Sequence, residues 1–287
     1  MCEKLELLQK ALKIEAREFA ERFMFRLNMN SFKGDFLDWL LRYDAFNRGF
    51  PGAAAELAGR IAGMIDYFGD IEAEMIASRV IAAITDEFLE RRTGAIALHS
   101  KLRRELALFS LGNLLAHSRS EALEIVKGYD PLRKEILIST RKGYGLESPF
   151  ILRGTFAGLG FFAASETSGS SEFVVLNRYM DERWPQLKAA MQTVNDEQGR
   201  ELYAWIADHE DLEADHAQFA FNSIELAVQF LKSDMERDIA FVEVERGVSN
   251  FFQMANEVLL SPLRRICPRC KHPVSLNTCA CAGYGGH

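Results

Sequence analysis

Apolar residues recur every three or four positions along most of this chain, as they do on one face of an α-helix. In residues 5–29, for example, Leu8, Leu12, Phe19 and Phe23 follow this spacing, and no alternating strand pattern competes with it. The same pattern predicts further helices over residues 36–46, 53–68, 71–92, 120–142 with a break at 128–131, 150–180 and 234–260, and around His99 and His209. The chain is therefore predicted to be all-α.

Glycine, proline and small polar residues mark the predicted helix ends. Pro51 after Gly49 suits the first turn of a helix, where a missing N–H costs nothing. The run Ser168-Gly169-Ser170-Ser171 could interrupt the long segment over residues 150–180 and re-aim its second half.

The composition is that of a soluble globular protein, with 48% apolar and 26% charged residues in a chain of 287. A net charge of −7 provides no basic surface for nucleic acid. The sequence has no apolar run of membrane-spanning length, and residues 1–6 lack the residue order of a signal peptide. A cytoplasmic location without membrane attachment is therefore expected.

The stretch over residues 208–219 has the spacing of a metal half-site. On a helix, His209, Glu213 and His216 fall within about 60° of one another, so three possible ligands share one face. Two imidazoles and one carboxylate suit iron, manganese or zinc, and a second helix could complete the site. The alternative is a solvent-facing acidic helix with two incidental histidines, but the strongly apolar continuation over residues 219–231 favours a helix inside a bundle.

A carboxylate on an apolar stripe is the next candidate. Glu87 follows Ile76, Val80 and Ile84 at helical spacing, so its side chain is expected among apolar neighbours. A carboxylate there must be paired, protonated or bound to a metal, because an isolated buried charge is very costly. Glu90, one turn later, is the alternative for the same role.

Two further candidates come from separate helices. His99 begins a predicted helix and would approach Glu87 only if the intervening turn folds back. Glu166 is the first charged residue after a dozen uncharged positions in an apolar helix, which favours a buried role. Glu172 is its alternative.

This ordered set of residues resembles the heme-oxygenase-like diiron oxidases and oxygenases over roughly residues 36–232, and the segment over residues 42–53 is also similar to the early helices of that family. The resemblance implies a heme-oxygenase-like bundle of about seven core helices. It implies iron ligands at Glu87, His99, Glu166, His209, Glu213 and His216. The family usually has Asp in the middle of the last motif, where this chain has Glu213, and the long spacing from Glu166 to His209 keeps Glu172 as an alternative.

The resemblance also implies the chemistry. Two irons per chain would activate O2, with an external electron donor, for N-oxygenation, desaturation or carbon–carbon cleavage of a small or carrier- or peptide-bound substrate. Manganese in place of iron and a homodimeric assembly remain open. Aromatic residues near the proposed ligands, namely Phe88, Phe161, Phe162 and Phe219, are candidates for lining a pocket, although aromatic residues at helical spacing are more often core.

Two other proteins of related fold fit less well. Helical thiamin-degrading enzymes need a core cysteine nucleophile, and Cys2 is the only cysteine before residue 267. A heme oxygenase needs an axial histidine early in the chain, whereas the first histidine here is His99.

Four cysteines crowd into the C-terminal segment and predict a separate unit. Cys267, Cys270, Cys279 and Cys281 form two close pairs, which can bind one zinc ion through four thiolates. The expected organisation is a helical domain over residues 1–262 and a cysteine-rich tail over residues 263–287. A redox-active or exposed tail is the alternative.

A second function from a different class uses the same features. The chain would then be a non-catalytic helical interaction module, with a structural zinc tail and with internal carboxylates that are merely paired in the core.

Overall fold

A computed structural model describes residues 2–29, 33–88, 98–197, 199–260, 265–266 and 273–274. Within these ranges, the side chains of Cys2, Met29, Asp86, Asp211 and Glu213 and of residues 265–266 and 273–274 are outside the description. The described chain is all-α, as predicted, apart from one antiparallel pair of two-residue strands, β1 (Arg265–Ile266) and β2 (Pro273–Val274).

Twelve α-helices account for most of the described residues. They are α1 (Cys2–Met29), α2 (Lys33–Asn47), α3 (Phe50–Ala62), α4 (Ile65–Phe68), α5 (Asp70–Ile84), α6 (His99–Leu115), α7 (Arg119–Lys127), α8 (Asp130–Gly143), α9 (Ile151–Arg183), α10 (Pro185–Thr193), α11 (Ala204–Phe230) and α12 (Asp234–Ala255). A 3₁₀ turn (Thr85–Glu87) follows α5, and a π-helical turn (Asn256–Leu260) follows α12.

The long helix α9 lies at the centre of the bundle. It packs against α1, α3, α11 and α12, and its residues 154–164 are all buried. Two glycines allow the closest of these approaches, since a Cβ at Gly160 would overlap the carbonyl of Val244 and a Cβ at Gly247 would overlap that of Ala157. The backbones of α9 and α12 therefore touch directly.

Three more helices bring the candidate ligands towards this centre. The helix α5 packs against α3 and α11, and α11 also contacts α6 and α9. Glu87 ends the 3₁₀ turn after α5, His99 is the first residue of α6, and His209 lies in α11. The packing of these helices therefore brings Glu87, His99 and His209, which are distant in the sequence, to one region.

The predicted helix ends are partly confirmed. Pro51 lies in the first turn of α3, and the break at residues 128–131 separates α7 from α8. The helix predicted over residues 53–68 is interrupted at Gly63 and Met64.

Two of these predictions were wrong in physically informative ways. The helix predicted to reach residue 92 leaves the α conformation at Ile84; Thr85 Oγ1 donates to the carbonyl of Ile81 at 2.8 Å, and the backbone tightens into a 3₁₀ turn. The serine-rich run does not interrupt α9. Two of its hydroxyls form hydrogen bonds within the helix, since Ser170 Oγ donates to the carbonyl of Thr167 at 2.8 Å and Ser168 Oγ donates to Glu172.

Of the helices that the structure describes, none combines the length and apolar character needed to cross a membrane. The four tail cysteines, Cys267, Cys270, Cys279 and Cys281, lie outside the described residues, so the zinc site and the boundary at residue 262 stay predictions.

Candidate metal centre

Glu87, His99 and His209 converge on one point. Glu87 Oε1 lies 3.2 Å from His209 Nε2 and 3.6 Å from His99 Nδ1. One donor atom from each residue falls within 4.8 Å of the other two, and the imidazole rings of the two histidines lie 4.7 Å apart. Two imidazoles and one carboxylate form a donor set that can hold a divalent cation.

The orientation of His209 is fixed by its own helix. Its Nδ1 lies 2.6 Å from the carbonyl oxygen of Trp205, one turn earlier in α11. A carbonyl oxygen only accepts hydrogen bonds, so Nδ1 carries a proton. Nε2 of the same ring faces the Glu87 carboxylate at 3.2 Å. Since a carboxylate oxygen is an acceptor, the contact requires either a proton on Nε2 or a metal ion between the two atoms.

His99 also directs a ring nitrogen at Glu87. Its Nδ1 is buried without a hydrogen bond to any described residue, and it points at Glu87. Burial lowers the pKa of His99 and outweighs the attraction of the Glu87 carboxylate, so the ring is held neutral. A neutral, orphaned and buried imidazole nitrogen is suited to bind a metal.

Glu87 is held ionised. Burial alone would raise the pKa of its carboxyl, but the contacts with His209 and His99 and the charge of Arg103 outweigh that effect and hold the pKa well below its usual range. Arg103 Nη1 donates to Glu87 Oε2 at 3.4 Å. The other oxygen, Oε1, faces the histidines.

A second group of possible ligands lies beside the first. His216 Nδ1 lies 3.7 Å from Glu166 Oε2, and both side chains are largely buried. Glu172 is 3% exposed and accepts a hydrogen bond from Ser168 Oγ at 2.5 Å. Glu166, Glu172, His216 and Glu87 all line one cavity of about 50 Å³.

This cavity has a polar and an apolar side. Its volume exceeds the 10–15 Å³ or so that one water molecule needs, which leaves room for a few waters, for metal ions or for a diatomic gas. Because carboxylates close to one another repel, a cation in the cavity would be stabilised. The apolar side is formed by Tyr43, Phe46, Phe50, Pro51, Ala83, Ile84, Phe173 and Phe251.

A buried tyrosine adjoins the polar side. Tyr144 is fully buried, and its hydroxyl lies near Ser165 and the carboxylate of Glu166. Burial, reinforced by that carboxylate, holds the pKa of Tyr144 well above its ordinary value.

The structure thus brings five of the six predicted iron ligands to one region: Glu87, His99, Glu166, His209 and His216. The sixth, Glu213, lies within α11, but its side chain is outside the description. The alternative residue Glu90 also lies outside the described residues. Glu166 and Glu172 both reach the cavity, so the two remain alternatives.

Several supporting residues were not found from the sequence. Phe173 stacks on His209 with ring centres 4.5 Å apart, and Arg103 donates a hydrogen bond to Glu87. Trp205 and Arg103 each lie one helical turn from a histidine of the cluster, at i−4 and i+4, so helical spacing could have drawn attention to them. The aromatic residues named from the sequence, Phe88, Phe161, Phe162 and Phe219, are not among the residues that line the described cavity.

The fold and the donor set describe an all-α protein with a candidate metal centre in the core of its bundle. Comparisons with protein-family models, with curated proteins and with solved structures found no match.

Proposed function

We propose that this protein is a metal-dependent oxidase or oxygenase that holds two iron ions in its bundle core and uses them to reduce O2. The observation that carries the proposal is the convergence of Glu87, His99 and His209, with Glu166 and His216 beside them at the same small cavity. The resemblance to heme-oxygenase-like diiron oxidases suggests the same ligands.

Each ion would have its own ligands. Glu87 Oε1, His99 Nδ1 and His209 Nε2 would hold the first, and Glu166 and His216 would hold the second, together with Glu213 as the resemblance implies. Glu87 contacts both histidines of the first group and lines the same cavity as Glu166 and His216.

Ferrous iron held by imidazole and carboxylate ligands supplies electrons for the reduction of O2. The protein's own residues prepare the place for this reaction. The carbonyl of Trp205 and the ring of Phe173 fix the His209 ring, and the apolar wall of the cavity limits access of water.

The electron balance requires a partner. Insertion of one oxygen atom of O2 into a C–H or N–H bond leaves the other atom to become water, which takes two electrons and two protons from an external donor. The cavity is too small for a large organic molecule. A small substrate, or the reactive end of a carrier- or peptide-bound one, fits the proposal best.

The test is metal content after anaerobic loading with ferrous iron. We expect about two irons per chain in the wild type and their loss in a His209→Ala, His216→Ala double variant. The matched control is His117→Ala, because His117 is also a well-buried histidine but lines a separate groove, with Glu105 and Arg119. Exposure to O2 with a reductant should then consume O2 in the wild type and in the control.

Two results would contradict the proposal. One is zinc as the only metal, at a level unchanged by the double variant. The other is iron that is lost equally in the His117 control. Either result would favour the non-catalytic interaction module.

The tail is tested in the same samples. Four thiolates from Cys267, Cys270, Cys279 and Cys281 would bind one zinc ion. In a Cys267→Ser, Cys270→Ser variant, zinc should fall by one equivalent per chain while iron stays at its wild-type level. Retention of zinc by this variant would eliminate the tail site.

A further inference from the structure

Arg103 is a buried arginine that reaches two acidic residues from different helices. Its side chain is 3% exposed, with Nη1 3.4 Å from Glu87 Oε2 and Nε 3.8 Å from Asp44 Oδ1. Asp44 lies in α2 and Glu87 follows α5, so one guanidinium connects two elements that are separate in sequence. A buried guanidinium is costly to desolvate and needs such partners.

Arg103 and His99 share one face of α6, because they are four residues apart. His99 Nδ1 approaches one carboxylate oxygen of Glu87, Oε1, at 3.6 Å, while Arg103 approaches the other, Oε2. A single helix therefore contacts both oxygens of the same carboxylate. The planar guanidinium keeps Oε2 on its own side, which leaves Oε1 directed at the histidines.

The guanidinium is itself held from two sides. It lies over the indole ring of Trp205, 5.6 Å from the ring centre, and the carbonyl of the same Trp205 accepts the hydrogen bond that orients His209. On the other side, the carboxylate of Asp44 forms an ion pair with the guanidinium, with Oδ1 3.8 Å from Nε, which is longer than a hydrogen bond. Trp205 thus contacts both the arginine that orients Glu87 and the histidine opposite Glu87.

We infer that Arg103 is a positioning residue of the metal centre, held by Asp44 and Trp205, that makes Glu87 present one oxygen to the ion. The inference rests on the proposed function, because it concerns how a ligand of the proposed ion is oriented. Residues that orient a ligand in this way typically change metal affinity by about 10–100-fold when they are replaced.

If Arg103 served only to pair with Asp44, its replacement and that of Arg133, which also pairs with Asp44, would have the same effect on metal binding. Asp44 has two other arginine partners, since Arg133 Nη2 donates to it at 2.9 Å and Arg48 Nε at 3.2 Å. Loss of Arg103 would therefore leave Asp44 paired. Arg133 is also largely buried and contacts Asp44, but the structure records no contact between it and Glu87, which makes it the matched control.

The experiment uses Co²⁺ as the probe on the metal-free, full-length protein, with the d–d absorption bands as the signal. Relative to wild type, Arg103→Met should bind Co²⁺ about 10–100-fold more weakly. The intensity and position of the bands should also change, because Glu87 would no longer be held to one oxygen. Arg103→Lys restores the charge without the planar fork and should recover part of the affinity. Arg133→Met should leave both the affinity and the spectrum at their wild-type values.

Thermal unfolding of each metal-free variant separates folding from positioning. If Arg103→Met does not fold, the lysine variant decides, since an unchanged Co²⁺ spectrum and affinity in that variant would overturn the inference. Equal losses in the Arg103→Met and Arg133→Met variants would also overturn it. The proposed function, and this inference with it, would instead be overturned if the wild type bound no Co²⁺, or if the His209→Ala, His216→Ala variant bound Co²⁺ as tightly as the wild type.

Discussion

Glu87 and His209 are separated by 122 residues in the sequence, yet Oε1 of the carboxylate lies 3.2 Å from Nε2 of the imidazole. Nδ1 of that imidazole donates to a backbone carbonyl, so Nε2 is the nitrogen that faces the carboxylate. Either a proton on Nε2 or a metal ion bound by both atoms satisfies this contact. Variants of Glu87 distinguish the two.

Replacement of Glu87 by Gln should separate metal binding from stability. The carboxamide can donate to His209 Nε2 and still accept from Arg103, so the free energy of unfolding of the metal-free protein should change by less than about 1 kcal/mol. Iron affinity should fall at least about tenfold, because an amide is a poor substitute for a carboxylate ligand. Chemical denaturation and iron titration measure the two quantities.

The control for that prediction is Glu87→Ala. This variant leaves Arg103 Nη1 without its acceptor and should lower the free energy of unfolding by about 1–3 kcal/mol. A glutamine variant that bound iron as tightly as the wild type would rule out Glu87 as a ligand.

The sequence was sufficient for the local part of this site. The spacing of His209 and His216 on a single helix requires no knowledge of tertiary structure, and both side chains are buried. The apolar stripe that leads to Glu87 likewise indicated a partly buried carboxylate. For the two histidines, a regular helix relates sequence spacing to the direction of the side chains.

The other features of the site could not be predicted from helical periodicity, because they depend on tertiary structure. Glu87 lies in a 3₁₀ turn rather than in the predicted helix, and that turn changes the direction of its side chain. The approach of His99 to Glu87 depends on how the chain returns between α5 and α6. In the sequence, nothing distinguishes Arg103 and Asp44 from other charged residues. They become neighbours because α2 packs against α6.

Metal binding should raise the thermal stability of the protein. A ligand that binds only the folded state at about 100 times its dissociation constant stabilises it by about 2.7 kcal/mol. Anaerobic Fe²⁺ should therefore raise the Tm of the wild type and of His117→Ala. It should leave the Tm of the His209→Ala, His216→Ala variant unchanged; an equal rise in all three proteins would indicate binding elsewhere.

The contact between α9 and α12 makes two glycines irreplaceable. A Cβ at Gly160 or Gly247 would overlap a backbone carbonyl of the other helix, and neither backbone can yield as a flexible side chain would. We expect Gly160→Ala and Gly247→Ala each to lower the free energy of unfolding by about 1–3 kcal/mol or more. Urea denaturation measures the loss.

The matched substitution is Gly59→Ala, in the exposed part of α3, where a Cβ meets nothing within 4 Å. Alanine is the better helix former, so this variant should gain about 0.5–1 kcal/mol. A loss at Gly59 comparable to that at Gly160 would contradict the prediction, because it would show that alanine is costly even where no backbone lies close.

Buried tyrosines should limit the stability of the protein at alkaline pH. Burial raises the pKa of Tyr144, Tyr179 and Tyr203 in the folded state, and for Tyr144 the Glu166 carboxylate adds to the effect. The unfolded chain loses these protons near pH 10, while the folded chain keeps them. Their contribution to stability is therefore fully present below about pH 10 and is lost as the pH rises above it.

Each such proton contributes a slope of about 1.4 kcal/mol per pH unit to the free energy of unfolding. Tyr144→Phe removes one of them, so its stability should decline less steeply above pH 10 than that of the wild type. Urea midpoints at a series of alkaline pH values give the slopes, and phenolate absorbance in the near ultraviolet follows ionisation directly. Parallel slopes for the two proteins would mean that Tyr144 ionises as readily in the folded chain as in the unfolded one, which its burial beside Glu166 argues against.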